Sequence, residues 1–271
     1  MKHMVLTSNK MKAKILNLLY EDELLNVFLI QAIENANEED EIYINKVEEG
    51  ISSILHIKFD GNSYFTSFYY KDEQGLNSII NELKNIKHNK LLISGKLIDV
   101  SKIVTSISKK EISSSDIYYK FNIELRNKNE NYNNTTFRKA RNNKEDINII
   151  KKYLVDFFDA KLEEDIKEIT NEERINKKLD TIYFIEYIGQ VIGMARICGE
   201  TRNYCDITGV YIEPSYRGQG FGKILINYII NEVTNKNKIP VLQTSSDNIV
   251  ARRVYEDLGF EKVVDYAFEF L

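Results

Sequence analysis

The stretch that decides the fold spans residues 206–232 and reads DITGVYIEPSYRGQGFGKILINYIINE. It opens with a β-branched apolar run that predicts a strand, breaks at Pro214, and resumes after the glycines with apolar residues at helical spacing. Glycine tolerates positive φ and has no Cβ, so the loop can turn its N–H groups toward a ligand. Together with the unpaired N–H groups of the first helical turn, they make a cradle for phosphate oxygens, and Arg217 adds positive charge at its rim. The stretch therefore predicts a strand, a phosphate-binding glycine loop and a helix.

Two familiar phosphate-binding motifs do not fit this loop. A P-loop requires Gly-Lys-Ser/Thr, but Gly222 and Lys223 are followed by Ile224, so the hydroxyl that binds magnesium is missing. A dinucleotide-binding loop requires glycines separated by one residue and then by two, which Gly218, Gly220 and Gly222 do not match. The loop therefore indicates neither a nucleoside triphosphatase nor a dinucleotide-binding protein.

Two motifs together resemble those of one enzyme superfamily. Arg217, Gly220 and Gly222 fit the pattern Arg/Gln-x-x-Gly-x-Gly/Ala between a strand and a helix, which resembles the pyrophosphate-binding loop of the GNAT superfamily of acyl-CoA-dependent N-acetyltransferases. Residues 248–260, NIVARRVYEDLGF, resemble its second motif, Asn-x-x-Ala-x-x-x-Tyr-x-x-x-Gly-Phe, and follow a predicted strand at Pro240–Thr244. A glycine turn before a core helix, or a buried structural tyrosine, would explain either motif alone. Their shared order and spacing favour the resemblance.

The chain as a whole repeats one order of elements twice: helices, a three-strand meander, helix, strand, helix and strand. This is also the order of the GNAT fold. The resemblance therefore implies an α/β fold of two tandem GNAT-like domains, each with a mixed, mostly antiparallel central sheet flanked by helices. The polar, asparagine-rich residues 126–136 separate the two cycles. We place the boundary near Asn131, which gives domains 1–130 and 131–271.

The two predicted domains differ in their motifs. After the third strand of the first domain the sequence is KDEQGL (residues 71–76), with one glycine and no counterpart of the loop. No counterpart of Asn248 or Tyr255 follows either. We expect this degenerate domain to have lost CoA binding. In the second domain we expect one helix at Ile166–Leu179 and a closing strand at Val263–Phe270.

Length and composition limit the classes of protein. With 271 residues, 43% of them hydrophobic, and no long apolar run, the chain is large enough for two globular domains and contains no predicted membrane span. A net charge of −4 argues against nucleic-acid binding that ignores base sequence, which relies on a basic surface. The amino-terminal residues lack the continuous apolar segment of a signal peptide. We therefore expect a cytoplasmic protein with no nucleic-acid or membrane partner.

The cysteines and histidines do not indicate a metal site. The two cysteines are Cys198 and Cys205, and all three histidines lie in the first third of the chain, far from both. Neither a zinc cluster nor a Cys-His nucleophile is supported, and we expect no metal. If the hairpin turns at Thr201-Arg202, the two cysteines become direct partners across it. A disulfide is then geometrically conceivable, but we expect two buried thiols.

The resemblance implies acetyl-CoA as the acyl donor. In GNAT enzymes the strands before and after the glycine loop splay apart, and pantetheine lies in the gap like an extra strand. Here the backbone of Val210, Tyr211 and Ile212 would pair with pantetheine, and one of those N–H groups would polarise the acyl carbonyl. Asn248 would bond the pantetheine arm. The pyrophosphate would be bound by Arg217, Gly218, Gln219, Gly220, Phe221, Gly222 and Lys223.

Amide formation from a thioester requires a neutral amine, stabilisation of the developing oxyanion and a proton for the leaving thiolate. The resemblance puts Tyr255 near the sulfur as general acid, since a phenol of pKa about 10 can protonate a thiolate of pKa about 8.5 slightly uphill. A positioning or packing role for Tyr255 stays open. Asp206 stands where some family members carry a glutamate that acts as general base. A water relay is an equal alternative, and Glu213 lies near the expected mouth of the cleft.

These residues lead to two functional hypotheses. The first is an N-acetyltransferase that moves an acetyl group from acetyl-CoA to a primary amine by direct attack in a ternary complex. The second is a non-catalytic module that senses acyl-CoA. The presence of Tyr255 favours the enzyme. The sequence does not identify the acceptor, because the helices within Lys144–Leu179 and the hairpin from Cys198 to Cys205, which we expect to select it, carry no recognisable motif.

Overall fold

The structure is a computed structural model, which describes residues 1–4, 9–48, 50–112, 114–126 and 134–271. These residues form two compact units. The first unit comprises residues 1–118, 245–247 and 263–271, and the second comprises residues 119–244 and 248–262. The predicted division near Asn131 falls outside the described residues. The units also differ from the predicted domains because residues 119–126 lie in the second unit and residues 263–271 in the first.

The first unit is a mostly antiparallel sheet flanked by helices, as predicted. Its strands are β1 (Lys2–Met4), β2 (Glu41–Val47), β3 (Gly50–Asp60), β4 (Ser63–Tyr70), β5 (Leu91–Lys96) and most of β12 (Phe260–Phe270). Its helices are α1 (Asn9–Leu19), α2 (Glu23–Glu34), α3 (Glu73–Asn85) and α4 (Leu97–Ser108). The strands pair in the order β1-β2-β3-β4-β5-β12, and the pair β4–β5 is parallel. Strand β6 (Asp116–Phe121) begins in this unit and ends in the second.

Apolar side chains of this sheet enter two clusters. Ile54 packs with α1 and α2 residues, whereas its neighbour Leu55 packs with α3 and α4 residues, and both are fully buried. Successive side chains of a strand point to opposite faces, so helices cover both faces of the sheet. Each such side chain contributes about 1.5–3 kcal/mol by leaving water.

The second unit repeats this arrangement. Its strands are β7 (Thr135–Lys139), β8 (Ile182–Tyr187), β9 (Gln190–Glu200), β10 (Tyr204–Ile212) and β11 (Ile239–Ser245). Its helices are α5 (Lys144–Phe157), α6 (Glu163–Ile169), α7 (Glu172–Asn176), α8 (Phe221–Asn235) and α9 (Ile249–Leu258). The strands pair in the order β11-β10-β9-β8-β7, and the pair β10–β11 is parallel. The glycine loop lies between β10 and α8, where the sequence predicts it.

The prediction of one helix at Ile166–Leu179 is wrong, because α6 and α7 are separate helices. The side chain of Asn171 accepts a hydrogen bond from the backbone N–H of Arg174 at 3.1 Å and so caps α7. Asparagine is among the residues that favour such a cap over a helix interior. The apolar periodicity of this range continued across the break and concealed it.

The predicted closing strand at Val263–Phe270 forms, but it completes the sheet of the first unit. Strand β12 pairs antiparallel with β5, from Tyr266 opposite Lys96 to Phe270 opposite Leu92. Ala267 is fully buried in the core of that unit. A pairing between strands so far apart in sequence depends on tertiary packing, which the local pattern does not contain. None of the helices in the described ranges has the length and apolar content that a membrane crossing requires.

Candidate functional site

The strand before the glycine loop, β10, pairs with β11 over part of its length. The described parallel register ends at the pair Ile207–Leu242, although both strands continue. On its other side, β10 stays paired with β9, with an extra residue after Thr208, where Gly209 has φ +61°. A bulge of this kind bends a strand and increases its twist. Strands β10 and β11 therefore separate beyond Ile207.

This separation leaves a backbone edge at Val210, Tyr211 and Ile212. Within the described part of the second unit, no strand is paired with these residues on the β11 side. The Tyr211 side chain anchors the segment, because its hydroxyl donates to Asp156 Oδ2 at 2.7 Å and its ring packs against Tyr153 with centroids 4.7 Å apart. The edge is therefore held in place, and its backbone groups without a partner in the described residues can pair with a ligand that carries amide groups.

The glycine loop is open where a phosphate would approach. Gly218 and Gly220 have φ +74° and +87°, and a Cβ added at either would meet no atom within 4 Å. Helix α8 begins at Phe221, and no side chain caps it. The N–H groups of its first turn have no intrahelical partners, and they attract anions. Lys223 adds a positive charge in that turn, with its Nζ 3.6 Å from the carboxylate of Asp257.

Two of the predicted loop side chains also brace the loop. Arg217 Nε donates to the Ile212 carbonyl at 2.8 Å, so the arginine ties the loop to the end of β10. Gln219 Nε2 donates to the Ser215 carbonyl at 3.0 Å. Arg217 is exposed, so its guanidinium still supplies positive charge at the rim.

Asn248 caps helix α9. Its Oδ1 accepts a hydrogen bond from the backbone N–H of Ala251 at 3.1 Å, which leaves Nδ2 as the group that could donate to pantetheine. The helix ends at Gly259 with φ +100°, where an added Cβ would lie 2.9 Å from the Leu125 side chain. Asn248 and Gly259 of the second motif therefore fix the two ends of this helix.

Tyr255 lies inside the second unit, with 7% of its surface exposed. Its ring packs against Tyr119 and Phe260, with centroids 6.4 and 5.9 Å away. Burial raises the pKa of Tyr255 to about 12. Relative to a thiolate of pKa about 8.5, proton transfer is then uphill by about 5 kcal/mol, more than the sequence suggested. The phenol stays protonated at every working pH and can donate a hydrogen bond to sulfur.

Asp206 is a buried carboxyl group on β10, one residue before the parallel pairing with β11 ends, with 4% of its surface exposed. Its Oδ2 accepts a hydrogen bond from the Cys198 thiol at 2.7 Å. Burial raises the pKa of Asp206 to about 7, although the Cys198 thiol and the charge of Arg196 both lower it. Oδ1 is buried and has no hydrogen-bond partner in the described residues. A carboxyl of this pKa can take up and release a proton near neutral pH.

Two residues that the sequence did not single out share this environment. Arg196 Nε and Gln243 Nε2 are also buried, and neither atom has a hydrogen-bond partner among the described residues. Arg196 lies on β9 within an otherwise apolar run, and Gln243 lies on β11 just after the pairing with β10 ends. A lone charged residue inside an apolar strand is a signal that could have identified Arg196 from sequence.

Glu213 is not a free carboxylate at the mouth of the gap. Its Oε1 accepts hydrogen bonds from Lys152 Nζ at 2.7 Å and from the Tyr153 hydroxyl at 3.1 Å. This ion pair connects the end of β10 to α5. Glu213 therefore stabilises the fold at this point, and Asp206 is the better candidate for a base.

The cysteines are two thiols, as expected, but they are not partners across the hairpin. Cys205 lies opposite Glu200, because the hairpin turns one residue later than expected, and Cys198 itself is an extra residue of β9 between the paired residues Ile197 and Gly199. This shift brings the Cys198 thiol to Asp206. In the described ranges, no group of three or more histidine, cysteine, aspartate or glutamate side chains is arranged to hold a metal ion.

The first unit has a gap of its own, but a different loop. Strands β4 and β5 pair as far as Thr66–Ile93 and then separate, and a cleft of about 300 Å³ lies beside residues of both. Helix α3 is capped by Asp72, whose Oδ1 accepts from the Gly75 N–H at 2.9 Å. A carboxylate at this helix start repels phosphate. The contact supports the expectation that this unit does not bind CoA, which stays a prediction.

Comparisons with known proteins bear on both units. Residues 147–260 match the profile of the Acetyltransferase (GNAT) family. The [ribosomal protein bS18]-alanine N-acetyltransferase of Haemophilus influenzae is 32% identical over 74 residues, which cover 27% of this chain and 50% of that protein. The chain spans about half the length of the curated relatives it matches.

Solved structures share the fold over the whole chain. A tandem GNAT protein from the clavulanic acid biosynthesis pathway superposes with a TM-score of 0.67 and 10% identity, covering 99% of this chain and 97% of that one. A GNAT-family acetyltransferase from Colwellia psychrerythraea superposes with a TM-score of 0.61 and 13% identity, covering 100% of both chains. At these identities the likeness concerns the fold. The chain therefore has the fold of tandem GNAT proteins, and its residues 147–260 match the acetyltransferase (GNAT) family.

Proposed function

We propose that the second unit transfers an acetyl group from acetyl-CoA to a primary amine, by direct attack in a ternary complex. One observation carries this proposal: residues 210–212 have no described strand partner on the β11 side, and the loop that follows them ends in a glycine-lined helix start at Gly220 that no side chain caps. An extended chain with amide groups fits the strand edge, and a pyrophosphate fits the helix start. Acetyl-CoA carries both, joined in one molecule, and supplies the activated acyl group.

The loop would bind the pyrophosphate mainly through its backbone. The loop is open at Gly218 and Gly220, and Arg217 and Lys223 add positive charge. The edge of β10 would bind pantetheine, and one N–H group among Val210, Tyr211 and Ile212 would donate to the acyl oxygen as negative charge develops there. Asn248 would add a donor through Nδ2. These groups are already fixed by the fold, so little ordering is required when the ligand binds.

The proton transfers would involve Asp206 and Tyr255. As the C–N bond forms and the C–S bond breaks, the amine loses a proton, which Asp206 Oδ1 would accept directly or through water. The leaving thiolate gains a proton, which Tyr255 would supply. Asp206 is matched to its task by its pKa of about 7. Tyr255, with a pKa of about 12, would act chiefly as a hydrogen-bond donor whose proton moves once negative charge has reached the sulfur.

The burial of Tyr255 favours a second candidate function. If its ring only packs against Tyr119 and Phe260, the unit would bind acyl-CoA without turnover and act as a sensor. The two functions share the binding site and differ in the chemistry. Turnover of acetyl-CoA with a library of primary amines distinguishes them.

The first experiment is a calorimetric titration of acetyl-CoA into the wild type and into Gly220→Asp. The substitution puts a carboxylate against the pyrophosphate, so we expect binding to weaken at least about 100-fold. Gly61→Asp is the matched control, because Gly61 also has positive φ (+74°) and lies in the β3–β4 turn of the first unit. Equal affinity of Gly220→Asp and wild type would refute the site. No binding by a folded wild type would overturn both the enzyme and the sensor.

A further inference from the structure

Three buried polar atoms on one face of the second unit's sheet have no protein partner among the described residues. They are Arg196 Nε, Asp206 Oδ1 and Gln243 Nε2. A buried donor or acceptor without a partner destabilises a fold by about 1–3 kcal/mol. Three such atoms within one small area indicate a ligand or ordered water that satisfies them.

The strand registers put these residues side by side. Arg196 on β9 lies directly opposite Thr208 on β10, and Thr208 comes two residues after Asp206. Gln243 lies two residues after Val241, which is opposite Asp206. Partners across a ladder, and residues two apart along a strand, point to the same face of a sheet. The three side chains therefore belong to three adjacent strands and share one face, at the place where β10 and β11 separate.

The chemistry of the three atoms is complementary to a particular kind of molecule. Arg196 and Gln243 offer N–H donors, one of them on a permanent cation, and a guanidinium is well suited to a carboxylate. Asp206 offers an acceptor oxygen that suits an amine, and its other oxygen is already occupied by the Cys198 thiol. A simple alkylamine would satisfy Asp206 and leave the two donors unpaired.

We propose that the acceptor is a small amino carboxylate, held through its carboxylate by Arg196 and Gln243, with its amine facing Asp206 Oδ1. This inference rests on the proposed acetyl transfer and names the class of acceptor for it. Arg196 and Gln243 are then the residues that determine acceptor specificity. The product is an N-acetylated amino carboxylate, formed with loss of one proton from the amine and release of the thiol.

The test measures kcat/KM for pairs of acceptors that differ only in the carboxylate. The pairs are glycine and methylamine, β-alanine and ethylamine, and γ-aminobutyrate and propylamine, extended to the larger standard amino acids and their decarboxylated amines. We expect the better amino carboxylates to exceed their partners by at least about 100-fold, because a site built around a polar group rejects analogues that lack it. This measurement uses the wild type, so it does not depend on how a variant folds.

A variant then assigns the carboxylate to Arg196. We expect Arg196→Gln to raise KM for the preferred amino carboxylate about 10- to 100-fold, because the variant loses a hydrogen bond to a charged group. Arg196→Lys keeps the charge and should restore part of the affinity. Arg141→Gln, in an exposed position before α5, is the matched control and should behave as wild type. The Kd of acetyl-CoA should be unchanged in all three.

The outcomes separate this inference from the proposed function. Turnover of the plain amines at rates equal to the amino carboxylates, with Arg196→Gln unaffected, overturns the inference and leaves acetyl transfer in place. Acetyl-CoA binding without turnover of any amino carboxylate also overturns it. Absence of acetyl-CoA binding in the calorimetric titration removes the proposed function itself.

Discussion

Replacement of Cys198 by alanine tests whether Asp206 is the general base. The Cys198 thiol donates to Asp206 Oδ2 at 2.7 Å and so favours the carboxylate. Without this donor the pKa of Asp206 should rise from its value of about 7. A hydrogen bond to a charged acceptor contributes about 1.5–3 kcal/mol, and a thiol is a poor donor, so we take about 1.4 kcal/mol, which corresponds to about one pKa unit.

The assay is the dependence of kcat/KM for the acceptor on pH, between pH 5.5 and 9.5, at saturating acetyl-CoA. The base acts when deprotonated, so activity should rise with pH through the pKa of Asp206. At pH 7 the ionised fraction falls from about one half in the wild type to about one tenth in Cys198→Ala, which lowers the rate about fivefold. Above pH 9 the two enzymes should converge. Titration of the acceptor amine is common to both, so it cancels in the ratio of the profiles.

Two further variants bracket this prediction. Cys205→Ala removes the buried thiol of β10, the strand that carries Asp206, but that thiol makes no hydrogen bond to Asp206, so the profile should stay that of the wild type. Cys198→Ser retains a donor, and its acidic limb should stay near pH 7 or move lower. A Cys198→Ala profile that coincides with the wild type would show that another group titrates, and Asp206 would be removed from the mechanism.

Three further predictions follow. Asp206→Asn should change how the stability depends on pH. The pKa of Asp206 is about 7 in the folded state and 3.8 in the unfolded state, so the wild type should lose about 4 kcal/mol of stability as the pH rises from about 4 to 7. The asparagine variant has no carboxyl group at this position and should not show this loss. Urea unfolding at pH 4.5 and 7.5 measures this, and parallel losses in both proteins would contradict the burial argument. Tyr255→Phe should lower kcat about 10- to 100-fold and leave the Kd for acetyl-CoA unchanged. Single-turnover kinetics measure the chemical step, and an unaffected rate would mean that Tyr255 has only a packing role. Calorimetry should find one acetyl-CoA bound per chain, because the Asp72 carboxylate caps the helix start of the first unit and repels phosphate there. Two acetyl-CoA molecules per chain would refute the expectation that the first unit does not bind CoA.

The parts of the site that the sequence predicts are those set by local chemistry. The glycine loop requires positive φ at Gly218 and Gly220, and α9 carries its own cap at Asn248 and its own stop at Gly259. Each depends on residues within one turn or one helix. Spacing alone is therefore enough to locate these turns and caps in the chain.

The parts that the sequence misses are set by pairing across strands. The extra residue in β9 brings Cys198 to Asp206, while Cys205 is placed opposite Glu200. The pKa of Asp206 depends on burial and on Arg196, which lies on a different strand. The break between α6 and α7 depends on one asparagine cap within a continuous apolar pattern. None of these follows from the period of a single element.

The pairing of β12 with β5 has a consequence for how the chain is made. The ribosome completes β5 long before it reaches residues 266–270, so a nascent first unit exposes one unpaired edge of β5 during most of synthesis. The sheet of that unit is completed only after residues 266–270 have left the ribosome, through a contact of very high sequence separation, and such contacts form slowly. A fragment that contains the first unit without residues 263–271 would expose the same edge of β5 and be prone to aggregate. Expression of the first unit alone should therefore include residues 263–271.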